Sequence, residues 1–463
     1  MLTPPTVLAY RIVGAAGATL LAAAGLAAGA LPAGGWFTGP HHHAESALLA
    51  AYTGLTLLVV AWWWAGRELR GPGIDRRSAL VTLACWSAPL LLGPPMFSRD
   101  AYSYLAQGAM VAGDIDVYRF GVAHLGGRLA AEVPAMWQQT PAPYGPAFLG
   151  LAALVSTVAG GKLVLGVLGL RLVALLGIGL LVLGVPRLAR QCGVDPCAAL
   201  WLGVLNPLVP LHLIAGAHNE AIMLGLLVAG LCLAFDRQHA AATVLITLAA
   251  LVKAPAAAGL LVVVLLAARA HGRWPAVART AGVAAATGAL VSWATGIGYG
   301  WITALGTPVY RHSWSISSAL GRASDRALRG LGLDLGEGPM RFWVWGGLLG
   351  VLAVAGYAWH RRHQLGPAYA LGLTLAAVAL LGPVTRPWYG LWGLVPLAAG
   401  ARDPRVRLLA ALAAVVLAFL ALPSGFGPQP AQLALATLGV LVGLAAGGYL
   451  RLVLATPVRV GAS

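Results

Sequence analysis

The sequence predicts an all-α polytopic membrane protein. Of its 463 residues, 59% are hydrophobic and only 10% are charged, against about 25% charged in soluble domains. The apolar residues form repeated runs, many near the roughly 20 residues a helix needs to cross a bilayer. The charges collect in short stretches between those runs. The net charge of +16 therefore reads as loops beside anionic lipid rather than as a nucleic-acid surface.

The candidate spans are 7–31, 47–66, 78–97, 163–186, 197–216, 219–236, 240–252, 255–269, 276–300, 342–359, 367–383, 388–400, 406–422 and 431–453, about fourteen in all. The first run, Val7 to Leu31, exceeds the core of a secretory signal and is read as a retained span. Several others are short. The stretches around Pro255 and Pro387 read as broken helices, which survive in a membrane only where protein or a water-filled cavity satisfies the backbone.

Loop arginines set the expected orientation. Arg11, Arg67, Arg70, Arg76, Arg77, Arg187, Arg190, Arg237, Arg269, Arg273, Arg279, Arg361, Arg362, Arg402, Arg405, Arg407, Arg451 and Arg459 all fall on one side if 144–160 does not cross. By the positive-inside rule that side is cytoplasmic, with both termini, and loops 98–162 and 301–341 face outward. The apolar segment 144–160 is accordingly expected to lie in the outer interface or to re-enter, with Trp137 and Tyr144 suiting an interfacial aromatic belt.

Cysteine and histidine offer little chemistry. Cys85, Cys192, Cys197 and Cys232 lack the spacing of a zinc site or a disulfide framework and are read as structural thiols. The run His41, His42 and His43 has no carboxylate cluster beside it, so no metal site is expected. No phosphate-cradling glycine loop, zinc-protease motif or nucleophile elbow is found.

Polar residues at outer span ends are the informative ones. Ser98-Arg99-Asp100 ends an apolar run, and a carboxylate at the mouth of a membrane helix is expensive unless it pairs or works. Asp100 is the expected base, with Arg99 as the partner that keeps it ionised; Tyr102, Tyr104 and Gln107 follow. Asp116, Tyr118 and Tyr144 stand among aromatics and amides that suit a sugar, or equally an interfacial turn. His218-Asn219-Glu220 reads either as a group orienting substrate or Asp100, or as a helix cap by Asn219 with an acid in the first turn. Lys253 departs from the positive-inside trend, which reads as a phosphate partner or, equally, as snorkelling to the interface. Arg311, His312 and Arg386, the last before Pro387-Trp388-Tyr389, are further candidates for phosphate, which arginine's planar fork suits.

Taken together these stretches identify a family. Phe97 to Tyr104, Thr140 to Pro146, Asn206-Pro207 with His218-Asn219-Glu220, Leu251 to Pro255, and Arg386 to Tyr389 resemble, in order and spacing, the bacterial polyprenol-phosphomannose-dependent α-1,6-mannosyltransferases. These are GT-C membrane glycosyltransferases of lipomannan elongation. The family's usual Asp-Pro-Tyr is Asp116-Val117-Tyr118 here. The resemblance implies a GT-C fold with interfacial helices in the first outer loop, a conserved module over 1–275 and a variable one over 276–463. It implies Asp100 as the catalytic acidic residue, acting as base, and Lys253, Arg311, His312 and Arg386 as candidates for the donor phosphate. Arg99, Tyr102, Tyr104, Gln107, Asp116, Tyr118, Tyr144, His218, Asn219, Glu220, Trp388 and Tyr389 become candidates for the acceptor or the sugar.

The expected reaction is an inverting transfer of mannose from polyprenyl-phosphate-mannose to an α-1,6-mannan lipoglycan. It would run on the outer face of the plasma membrane, without cofactor or metal. A flippase or secondary transporter of a lipid-linked sugar is the alternative, since broken helices and polar groups also occur in transporters. No inverted repeat supports it, and the polar groups sit at span ends rather than mid-span.

Overall fold

A computed structural model describes residues 5–32, 44–68, 76–304, 313, 315–425 and 427–455; among them every regular element is a helix and none is a strand. Six helices are long and apolar enough to cross a bilayer, or seven if one bent pair counts as a single span. Pro146–Ala159, His239–Val252 and Pro367–Leu381 are shorter apolar helices. The chain is a membrane protein.

Small residues bring the helices together. Pro5–Ala28 packs on Ala44–Glu68 where Gly17 meets Gly54: a Cβ on Gly17 would stand 2.6 Å from the Gly54 oxygen. Leu163–Cys192 meets Glu220–Phe235 in the same way, since a Cβ on Gly177 would stand 2.2 Å from the Ala221 oxygen. Such close backbone approach replaces the hydrophobic drive that lipid cannot supply.

Two expected spans are broken. The run 78–97 is helical only over Arg76–Leu92; Pro94 and Pro95 prevent continuation, and Phe97 takes a φ of 66°. The run 197–216 is not one helix: Pro196–Gly203 ends, a turn carries Asn206 and Pro207, and Val209–Ala215 is a π-helical segment bent by 114° from Glu220–Phe235. These breaks leave carbonyls without helical donors. Arg171, 1% exposed, supplies the donors. Its guanidinium bonds Leu91 O and Gly93 O at 2.7 Å, Pro94 O and Ile214 O at 3.2 Å, and Ala215 O at 3.3 Å.

The breaks meet at one end of the bundle. Met96 N donates to Ala215 O, Phe97 N to Pro423 O, and Ala30 N to Pro95 O. The segment 98–162 folds over this end as Asp100–Ala112, three short turns and Pro146–Ala159. The last of these has 14 residues, short for a straight span, and packs on the first, with Ser156 Oγ donating to Leu105 O at 3.1 Å. Val117, Val122, Val133, Ala142 and Leu149 make a small core beneath.

Contacts tie many loop arginines together at the other end. Arg11 bonds Ser78 and Thr82, Tyr10 packs on Trp64, and Arg451 lies over the same Trp64 ring. Arg67, Arg405 and Arg407 line one cavity with Asp195, and Arg402 bonds Cys192 O. Each of the four cysteines is a free thiol.

Candidate active site

Asp100 opens the Asp100–Ala112 helix, where an acidic residue complements the helix dipole; its own N–H donates to Ser98 Oγ at 3.0 Å. Its carboxylate is not paired to Arg99. Neighbouring residues on a helix point about 100° apart, and Arg99 turns away, donating to Leu31 O at 2.6 Å and to Glu132 Oε2 at 3.1 Å. The partner of Asp100 is instead His218, whose Nε2 lies 3.6 Å from Asp100 Oδ2.

His218 is fully buried and held on two sides. Its Nδ1 lies 2.7 Å from the His212 carbonyl, and the Trp388 ring stacks on it with centroids 3.8 Å apart. A carbonyl oxygen only accepts, so Nδ1 carries the proton. With the ring neutral, Nε2 presents a lone pair toward Asp100, which leaves room for one proton between the two groups.

Asp100 lines a cavity of about 290 Å³ together with Gln107, Tyr144, Lys253, Arg386 and Tyr389. Most of its remaining wall is apolar: Val122, Val133, Val378 and several prolines. A second cavity of about 150 Å³, lined by Arg99, Met136 and Trp388, shares Asp100, Trp137 and Arg386 with the first. Asp100 and Arg386 therefore stand on the wall common to both.

Lys253 sits where His239–Val252 stops, in extended backbone. Its ammonium is paired to the fully buried Glu220 carboxylate and lies 4.3 Å from the Tyr389 ring centroid, with the rings of Trp392 and Tyr144 beyond. The pair is neutral as a unit. Among the described residues Arg386, half-buried, has no ion pair, so it is the cavity's uncompensated positive charge.

Other expected site residues have structural partners. Tyr102 Oη donates to Ala30 O at 2.7 Å and is buried away from both cavities; it holds the helix entry rather than a substrate. Tyr104 packs edge-on against Tyr144 and Phe148 behind the cavity wall. The Asp116 carboxylate accepts from the N–H groups of Tyr118 and Arg119, the ordinary work of a turn aspartate, and faces a separate cavity. Tyr118 Oη donates to Tyr144 O at 3.0 Å and so positions Tyr144. Burial pushes the Tyr118 and Tyr144 phenols above their usual range, so both stay neutral donors. Asn219 does not cap the helix with its side chain; both its polar side-chain atoms are buried without partners. Arg311, His312 and the His41–His43 run lie outside the described residues.

Sequence reading missed His212, Glu132 and Arg171. His212 is fully buried between Phe97, His218 and Trp388 with neither ring nitrogen hydrogen-bonded. Its signal was a lone histidine in an apolar run ahead of a break. Among the described residues no three His, Cys, Asp or Glu side chains are grouped to hold a metal.

Two family models match the chain: "Alpha-(1->6)-mannopyranosyltransferase, N-terminal domain" over residues 11–269, and the "MptB C-terminal domain" over residues 327–447. An alpha-(1->6)-mannopyranosyltransferase B of Corynebacterium glutamicum is 35% identical over 90% of this chain and 77% of its own length. A probable alpha-(1->6)-mannopyranosyltransferase of Mycolicibacterium smegmatis is 35% identical over 86% of this chain and 80% of its own length. An alpha-(1->6)-mannopyranosyltransferase A of Mycobacterium tuberculosis is 40% identical over 52% of this chain and 49% of its own length. With both halves matched and relatives similar over most of its length, the chain belongs to the alpha-(1→6)-mannopyranosyltransferase family.

Proposed function

We propose that the chain is an inverting GT-C mannosyltransferase, moving mannose from polyprenyl-phosphate-mannose to an α-1,6-mannan lipoglycan on the outer face of the plasma membrane. The observation that carries the reading is that Asp100 and Arg386, which has no ion pair among the described residues, both line the two cavities. The larger cavity, mostly apolar with cationic groups at its polar end, suits a prenyl phosphate sugar. The smaller, beside Trp137 and Trp388, suits a sugar acceptor.

The 6-hydroxyl oxygen of the acceptor attacks the anomeric carbon, and Asp100 takes its proton. The bond to the phosphate oxygen breaks on the opposite face, so a β-linked donor gives an α-linked product. Polyprenyl phosphate leaves with the electron pair, and Arg386 meets the growing charge. Lys253, already neutralised by Glu220, shapes that end of the cavity. The proton on Asp100 is shared with Nε2 of His218, which stabilises the product state. The scheme uses no nucleotide, and the basic side chains take the role a metal would otherwise fill.

The test is transfer from labelled polyprenyl-phosphate-mannose to a synthetic α-1,6-dimannoside by the purified full chain. Asp100→Asn should lower the rate by about 10²–10⁴-fold with donor binding retained. Near-normal elongation by that variant sinks the assignment. Product formed without sealed vesicles separates this reading from a lipid-linked sugar flippase, for which no internal repeat was found.

A further inference from the structure

At the start of the His239–Val252 helix is a cavity of about 520 Å³ with no part in the reaction above. Its polar wall is Arg237, His239, Thr243, His271, Arg279 and Thr280, and no carboxylate lines it. The nearest acid in sequence, Asp236, is engaged elsewhere, accepting from Arg187 and Gln191. Arg237 and Arg279 have no ion pair among the described residues. Buried His239 Nε2 has no hydrogen-bond partner, and the rings of His239 and His271 meet edge-on at 6.2 Å.

The backbone adds to this field. The Gln238 cap makes no side-chain hydrogen bond to the helix it opens, so the first-turn N–H groups keep free donors at a positive dipole end. Helix Arg273–Thr295 contributes Arg279 and Thr280 from its second turn. Exposed Trp274 and Val277 stand on the same helix, where acyl chains would lie. Two arginines, two histidines, the Thr280 hydroxyl and a helix start, with no acid, suit a phosphate group; the Thr243 hydroxyl is spent on His239 O. A basic pocket between membrane helices suits the phosphate of a lipid head group.

We propose that this cavity is a binding site for a phosphate-bearing anion, at the far end of the helix whose other end presents Lys253 to the candidate active site. Fourteen residues separate the two ends, about 20 Å of helix, so this is a separate site and not an extension of the donor cavity.

The test is thermal unfolding of the detergent-solubilised full chain titrated with short-chain phosphatidylglycerol, short-chain phosphatidylcholine or inorganic phosphate. Phosphatidylglycerol should raise the midpoint at concentrations where phosphatidylcholine does not. If inorganic phosphate also raises it, the site reads the phosphate alone; if it does not, the acyl chains contribute as well, and both outcomes support the site. Arg237→Gln with Arg279→Gln should weaken the response by roughly fivefold per arginine removed, while Arg361→Gln with Arg362→Gln should leave it unchanged. Arg237→Lys with Arg279→Lys keeps the charge and should keep part of the response, which guards against misfolding of the glutamine variant. No selectivity over phosphatidylcholine, or an equal loss in the Arg361 and Arg362 variant, overturns the proposal.

Discussion

Helices early and late in the chain meet their surroundings in opposite ways. In Ala44–Glu68, 61% of the most apolar window is buried inside the protein; in Gly338–His360 the figure is 6%. Both are apolar along their length, yet one is core and the other presents Phe342, Trp345, Leu349 and Leu352 outward to lipid. Hydropathy alone therefore does not rank helices by structural weight in a membrane. The late region turns inward where it reaches the cavities, through the turn Pro387–Tyr389 and helix Gly390–Gly400. The early region builds the scaffold and supplies Asp100, the proposed base, and the late region closes the cavities with Arg386 and aromatic rings.

The sharpest test of that division is a pair of site substitutions. Asp100→Asn removes the early region's proposed base and carries the largest loss. Arg386→Gln removes the late region's free charge and should cost about 10²-fold in rate, measured in the same dimannoside assay. Lys253→Gln should cost less in rate than Arg386→Gln if the Glu220 pair is structural; the reverse order would move the phosphate contact to Lys253.

Next comes the scaffold. Arg171→Met leaves the Leu91, Gly93 and Pro94 carbonyls without their donor, while Ile214 O and Ala215 O keep Ala217 N and Met96 N; it should cost about 3–5 kcal/mol of stability, at roughly 1–3 kcal/mol for each buried group left unsatisfied and with partial relaxation. Thermal unfolding of the purified variant in detergent measures it. The smallest effects compare one substitution in both regions. Gly177→Ala must push back the backbone of Glu220–Phe235 and should destabilise by about 1–3 kcal/mol. Gly346→Ala meets nothing within 4 Å and should be neutral or stabilise by up to about 1 kcal/mol through helix propensity. Equal effects would erase the contrast between the two regions.

Much of this was legible in the sequence, for identifiable reasons. Runs of apolar residues announce membrane helices because lipid accepts nothing else, and the run-ending Asp100, the Lys253 break and the Arg386 turn stand out against so little charge. Partners were harder to read. Arg99 and Asp100 are adjacent in sequence and diverge in space, because helix geometry separates neighbours and brings distant breaks together. His218 meets Asp100, and Lys253 meets Glu220, across 118 and 33 positions (218 − 100 and 253 − 220). The tyrosines were over-read: Tyr102 and Tyr118 spend their hydroxyls on backbone carbonyls, a fate that composition cannot reveal. His212 and Arg171 were overlooked because a single polar residue inside an apolar run reads as noise until the breaks it serves are seen.

Arg171 also bears on how the chain is made. During synthesis its helix enters the bilayer ahead of residues 214 and 215, carrying a cation whose insertion near a helix centre is unfavourable by about 2.5–3.5 kcal/mol. The carbonyls of Leu91, Gly93 and Pro94 are already in place by then. They can receive the guanidinium as it enters, and Ile214 and Ala215 complete the shell when they arrive. The residue that joins the two breaks in the finished protein can thus also steady its helix in the nascent one, through the earlier of the two breaks.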